Sequence, residues 1–304
     1  MRNNEKKTEK DFGALSRFVQ ESFASSEPTP MLYQYSDIGA LCGLVKNREL
    51  WATHFRYLND RKEFDLGLKY AIDFAKSQYE RQNSFFVKKF LKTFCDIEEV
   101  CEEKHVLPFH RLGIFTRSFS SKCDLLSQWR GYGRGYKSVC MGFSKDELEK
   151  SLFVGNQTCL LRKVIYDQEK QETLVYEFMK RCCQIFANNP QDFIDDERYF
   201  ESIRRVLVTG LVQLILGFKE KCWEEEAEWR VIALQDNSVL DYKQNAFGLV
   251  PFIKLPIALN VLKTVMLPKS ENYILSRKSL KMFLSQYNGV ANVEVEESDI
   301  SIVY

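Results

Sequence analysis

The sequence predicts an α+β fold: a mixed or split β-sheet core with inserted helical blocks. Three observations predict it. Strand-like runs cluster early and late in the chain, two long blocks of helical spacing interrupt them, and no regular alternation of strand and helix joins the two kinds. A chain of 304 residues, 45% of them apolar, is long enough to bury a sizeable core.

Taken in order, residues 1–30 read as an amphipathic extension. Phe12, Leu15, Phe18, Val19 and Phe23 recur at helical spacing, and "SEPTP" at 26–30 ends the stretch. "MLYQY" is strand-like, Ser36 can cap a helix through Ile38, Leu41, Leu44 and Val45, and "ELWATHF" is a second strand. A helical insertion near 61–104 follows. Within it Phe86, Phe90 and Phe94 repeat every four residues, which predicts a core-facing stripe with the lysines elsewhere. "RLGIFTRSF" and "SVCMGF" read as strands flanking a glycine-rich turn, "SQWRGYGRGYKS", and "CLLRKVIY" reads as another. A second helical insertion near 168–221 contains "VLVTGLVQLILGF", a buried core helix too short to span a bilayer. Strands at "EWRVIAL", "GLVPFIKL" and "VLKTVML", a helix at "SENYILSRKSLKMFLSQY" and a closing strand at "VANVEVEE" complete a single α+β domain over 31–304.

Composition excludes several function classes. Forty-three Lys+Arg against 42 Asp+Glu leave a net charge of +1, unlike a polybasic nucleic-acid or membrane binder. The charged N-terminus lacks a signal-like apolar run, and nine cysteines without framework spacing suit reduced thiols, so a soluble cytoplasmic protein is expected. The glycine-rich turn fits neither nucleotide motif, because Tyr136 stands where each requires glycine. Cys95, Cys101, His105 and His110 lack the short cysteine clip of a zinc site, and no metal is expected.

Three clusters carry candidate chemistry. Asn59, Asp60 and Glu63 make a polar knot after the second strand, fitting either a capped helix start or a site. Ser118 and Ser120 alternate on one side of a strand, and Trp129, Arg130 and Tyr132 follow; Arg130 can stack between aromatics and offer its planar fork to an anion. Glu226 and Glu228 stand beside Trp229 and Arg230, a crowding of carboxylates that needs either water or a cation to offset it.

Together the clusters resemble a broad bacterial family that carries a domain-of-unknown-function label. Its pattern is matched here by Tyr33 and Tyr35; by Trp51, Asn59, Asp60 and Glu63; by Ser118, Ser120, Asp124, Ser127, Trp129, Arg130, Tyr132 and Gly133; and by Glu226, Glu228, Trp229 and Arg230. The order aromatic strand, S-x-S, E-x-E is also similar to ADP-ribosyltransferases. That resemblance implies a split sheet holding NAD as substrate. Glu228 would grip the nicotinamide ribose and Glu226 would orient the acceptor. Tyr35, Ser118, Ser120, Arg130 and Tyr132 would form the cofactor-binding surface. Gln34 stands where such enzymes place Arg or His, with His54 or Arg56 as substitutes.

The expected function is therefore transfer of ADP-ribose from NAD to a protein or nucleic acid, as a bacterial toxin or phage-defence effector. The alternative is a non-catalytic module that binds a nucleotide, nucleic acid or protein through the Trp-Arg-Gly-Tyr turn. A metal-dependent nuclease using Asp60, Glu63, Glu226 and Glu228 is the third possibility.

Overall fold

The computed structural model describes residues 2–24, 28–58, 62–96, 112–133, 135–152, 158–194, 196–236, 240–245 and 248–301. The chain divides into two compact units. One comprises residues 1–24, 58–113 and 164–222; the other comprises 25–57, 114–163 and 223–304. Sequence patterning gives one domain with two helical insertions. By contacts, the N-terminal segment and both insertions together make the first unit.

That first unit is helical. It contains α1 (Arg2–Ser22), α3 (Lys62–Tyr79), α4 (Phe85–Cys95), α7 (Gln168–Asn188), α8 (Pro190–Ile194) and α9 (Glu197–Ile215). The apolar stripe of α4 is buried as its spacing predicts, with Phe90 and Phe94 each 1% exposed. Phe86, Phe90, Phe186, Phe193 and Phe200 pack ring against ring, for example Phe186 with Phe200 at 5.0 Å and Phe90 with Phe186 at 5.1 Å between centroids. Leu15, Val19 and Phe23 of the N-terminal segment belong to the same core, so this stretch is an integral layer of the unit. Asp167 and Asp196 cap α7 and α9, accepting from the amides of Lys170 and Tyr199 at 2.9 and 3.0 Å. Gly67 lets α3 lie against Ile215: a Cβ there would meet its Cγ2 at 2.5 Å.

The second unit is a mixed open sheet. Its main path runs β10-β9-β4-β1-β3-β2-β8-β7, with β6 joined to β3 and β5 to β6. The strands are β1 (Met31–Asp37), β2 (Glu49–His54), β3 (Leu112–Ser120), β4 (Ser138–Ser144), β5 (Thr158–Lys163), β6 (Glu228–Asp236), β7 (Asp241–Asn245), β8 (Gly248–Pro256), β9 (Leu262–Leu267) and β10 (Glu294–Glu297). β10 pairs with β9 in parallel, whereas β1–β4, β2–β8, β4–β9 and β5–β6 are antiparallel. Leu32, Phe115, Phe119, Met141, Phe143, Val231 and Ile253 bury a continuous apolar core with α2 (Ile38–Asn47), α6 (Lys145–Leu152) and α10 (Tyr273–Leu284). Tyr35 and Cys140, directly opposite each other on β1 and β4, belong to a separate small cluster with Trp129.

Two local expectations are corrected, and one strand adds to them. Asp37, rather than Ser36, caps α2, since its carboxylate accepts from the Ala40 amide at 2.8 Å. The stretch "SQWRGY" is helical, α5 (Leu126–Tyr132), because burying Trp129 completely outweighs the weak helix propensity of its glycine. The polar run at Asp241–Asn245 is a strand, fixed by its antiparallel ladder to β8. Among the described residues no helix is long and apolar enough to cross a membrane.

Candidate functional site

The candidate site lies in the sheet unit, where the ends of β3 and β6 meet α5. Ser120 ends β3 and is buried. Its Oγ donates to the Glu226 carbonyl at 2.7 Å and accepts from the Lys122 amide at 3.0 Å. The Ser121 amide and hydroxyl both donate to the Ala227 carbonyl, at 3.0 and 3.2 Å. The serine segment therefore clamps the backbone of the acidic arm directly. Ala227 takes φ 45°, a left-handed conformation that costs a non-glycine residue about 1 kcal/mol or more and persists only where surroundings enforce it.

On this clamped arm Glu226 is 9% exposed, and the Tyr132 hydroxyl reaches its Oε1 at 3.4 Å. Glu228 opens β6 and is 3% exposed; its two carboxylate oxygens accept from Arg230 Nε and Nη2 at 2.9 and 3.0 Å. This fork-to-fork pair answers the crowding of acids seen in the sequence, with the cation supplied two residues along the same strand. Arg162 lies opposite Arg230 on β5 and is also buried, and burial pushes its guanidinium down to about 10.

Helix α5 is held by its indole. Trp129 is fully buried, meets Tyr35 edge-on at 5.2 Å between centroids, and donates Nε1 to Asp124 Oδ1 at 2.8 Å. Asp124 takes φ 51° and also accepts from the Ser298 hydroxyl and the Asp299 amide, so it ties α5 to the C-terminal segment. Tyr35 OH donates to the Lys122 carbonyl at 3.0 Å and accepts from the Leu125 amide at 2.9 Å, and burial pushes its phenol far up. Tyr35 and Trp129 thus position the loop and helix that present Tyr132.

The structure joins Ser120, Tyr132 and Glu226 directly and pairs Glu228 with Arg230. Ser118 and Arg130 are exposed, on β3 and α5. Asn59 and Asp60 lie outside the described residues, as does the side chain of Glu63. Cys101, His105 and His110 also lie outside them. Among the described residues no group of three or more His, Cys, Asp or Glu is placed to hold a metal. Gln34 is buried, its Oε1 without a hydrogen-bond partner among the described residues, and His54 packs against Phe55, Tyr57 and Phe115. Sequence inspection missed Asp124 as the hub of α5 and Arg162 as a second buried cation. An acid five residues before a buried tryptophan was the available signal for the first.

A family model, described as a protein of unknown function (DUF2971), matches residues 128–231. The matched span is about a third of the chain and runs from α5 through the acidic arm into β6. No curated protein and no solved structure matches the chain.

Proposed function

We propose that the chain transfers ADP-ribose from NAD to a macromolecular acceptor, with the Glu226–Glu228 arm as its reactive centre. The observation that carries this is the clamp: Ser120 holds the Glu226 carbonyl at 2.7 Å while Tyr132 reaches the carboxylate of the same residue. Two clusters about 100 residues apart in sequence thereby meet at one glutamate, beside a residue with strained backbone.

The chemistry needs few groups. The bond from the ribose C1′ to nicotinamide breaks, and nicotinamide leaves with the bonding electrons. An acceptor nucleophile then bonds to C1′ and releases its proton. Fixed negative charge near C1′ stabilises the positive character that develops there. Glu226 is the carboxylate placed to receive the acceptor's proton. Glu228, paired to Arg230, supplies the second charge and fixes the strand. A toxin or phage-defence effector is the setting that the family resemblance implies.

The test is nicotinamide release and ADP-ribose adduct formation, read by mass spectrometry, with purified protein, NAD and protein, RNA and DNA acceptors. Glu226→Gln is expected to lower turnover by roughly 100-fold or more while leaving the melting temperature nearly unchanged. Absence of both nicotinamide and adduct with the unaltered protein across all acceptors would overturn the proposal. One observation favours a second reading: both Glu228 oxygens are already engaged by Arg230. On that reading the chain binds a nucleotide without cleaving it, Arg130→Ala abolishes binding, and Glu226→Gln changes little.

A further inference from the structure

Helix α10 has two faces of opposite character. Leu280 and Leu284 bury its inner face in the core of the sheet unit. On the outer face Ile274, Leu275 and Met282 are 78%, 68% and 62% exposed, and Ile274 is the most exposed large apolar side chain among the described residues. Helical spacing sets Ile274, Lys278, Lys281 and Ser285 in one row, with Leu275 and Met282 alongside it. From 272 to 293 the sequence holds Arg277, Lys278 and Lys281 and no carboxylate. Arg277 is engaged at the flank, donating Nε to the Val295 carbonyl of β10 at 3.1 Å. Among the described residues neither Lys278 nor Lys281 forms an ion pair with a carboxylate.

Apolar residues exposed singly need no explanation, but three on one helix face beside two uncompensated cations make one amphipathic surface. A second copy of the chain suits it poorly. Two such helices paired about a two-fold axis would set Lys278, in the middle of the face, against its own counterpart. An acidic peptide helix needs a groove with two walls, whereas the hollow on this face is lined only by residues of α10 and its cap, from Tyr273 to Ser285. An anionic bilayer needs no wall. Projecting aliphatic side chains enter the acyl boundary, and lysine stems reach the headgroups beside them. The net charge of +1 does not oppose this, because headgroup attraction falls off within a Debye length of about 8–10 Å and acts on the nearest face.

We infer that the outer face of α10 docks on an anionic lipid bilayer. The helix lies in the plane of the surface, with Ile274, Leu275 and Met282 below the headgroups and Lys278 and Lys281 against lipid phosphates. Contact is peripheral and reversible, since three aliphatic side chains bury far less apolar area than a spanning helix. Docking neither requires nor supplies the chemistry proposed for Glu226.

The test is flotation of the full chain with phosphatidylcholine vesicles and with vesicles of equal parts phosphatidylcholine and phosphatidylglycerol, without NAD present. The anionic vesicles are expected to carry the protein upward and the neutral ones to leave it behind, and added salt should weaken the binding. Lys278→Glu with Lys281→Glu should weaken binding by about thirtyfold or more, and Ile274→Ser with Met282→Ser by about tenfold or more. All four positions are exposed, so both variants should keep the melting temperature of the unaltered protein. No binding to anionic vesicles at millimolar lipid, equal binding to both kinds of vesicle, or unchanged binding by either folded variant would overturn the inference. Without vesicle binding, a dimer dissolved by Ile274→Ser with Met282→Ser would give the face to a second copy, and binding of a leucine–glutamate peptide would give it to an acidic protein; either result overturns the inference. Because nicotinamide release is not measured, this result stands or falls separately from the transferase proposal.

Discussion

The helical and sheet units solve burial in opposite ways. The helical unit buries a phenylalanine cluster, and among the described residues its buried polar side chains are Ser22, Gln171, Asn189 and Lys219. Gln171 has an evident structural role, donating to the Ile165 and Lys219 carbonyls at 2.6 and 2.9 Å. The sheet unit also has a large apolar core, yet it buries Arg162, Glu226, Glu228 and Arg230 as well. Charges are the side chains least often fully buried, and each must be paired or used. Lys219 apart, the buried charges among the described residues lie in the sheet unit, so packing explains the helical interior more fully than the sheet interior.

The sharpest way to break this contrast is a cavity in the aromatic cluster. Phe90 is 1% exposed and touches both Phe94 and Phe186. Phe90→Ala should cost roughly 3–5 kcal/mol, measured by denaturant unfolding. Nicotinamide release per folded molecule should remain unchanged. Its loss in a variant that is still folded would place function in the helical unit and end the distinction.

Within the sheet unit the comparison turns on the buried ion pair. Glu228→Ala removes the two carboxylate oxygens that accept from Arg230 Nε and Nη2 and takes this counter-charge from a guanidinium buried opposite Arg162, a loss of about 3 kcal/mol. Replacing both partners, Glu228→Leu with Arg230→Met, should cost far less, because no charge is stranded. A double variant as unstable as the single one would show that the pair is more than a self-contained ion pair. Loss of nicotinamide release in a stable double variant would mark Glu228 as chemically required.

How much of this was legible in the sequence follows from which interactions are local. The stripe of α4 was legible because a period of four is a property of one helix. The paired serines and glutamates were legible as patterns. Their joining was not, since Ser120 reaches a backbone carbonyl of residue 226, which no side-chain motif encodes. Helix α5 was hidden by its glycine and aromatics, and its stability comes from a tertiary pocket around Trp129. β7 was hidden because "DYKQN" has no apolar alternation, and its pairing to β8 is made by backbone groups. Arg117 reads as an ordinary strand residue, and only the folded chain shows that its Nε is buried without a hydrogen-bond partner among the described residues.

The smallest expected effect concerns His54, at the end of β2. Its ring lies 5.3 Å from that of Phe115 and 5.1 Å from that of Phe55, and its Nδ1 accepts from the Arg56 amide at 3.3 Å. Burial, then the charge of Arg56, pushes the imidazole down to about 4. The folded state therefore favours the neutral ring, while the unfolded chain takes up a proton near pH 6.5. The stabilisation is complete above pH 6.5 and is lost as the pH falls towards 4. A shift of this size bounds the effect at about 3 kcal/mol, and a ring still partly in contact with water should show roughly 1–2 kcal/mol. Unfolding free energies of the unaltered protein and of His54→Gln, compared between pH 7 and 4, measure it. The variant should lose less stability over that interval. Identical slopes would mean that the ring is free to take up its proton in the folded state, and that the sheet unit's tolerance of buried charge extends to the end of β2.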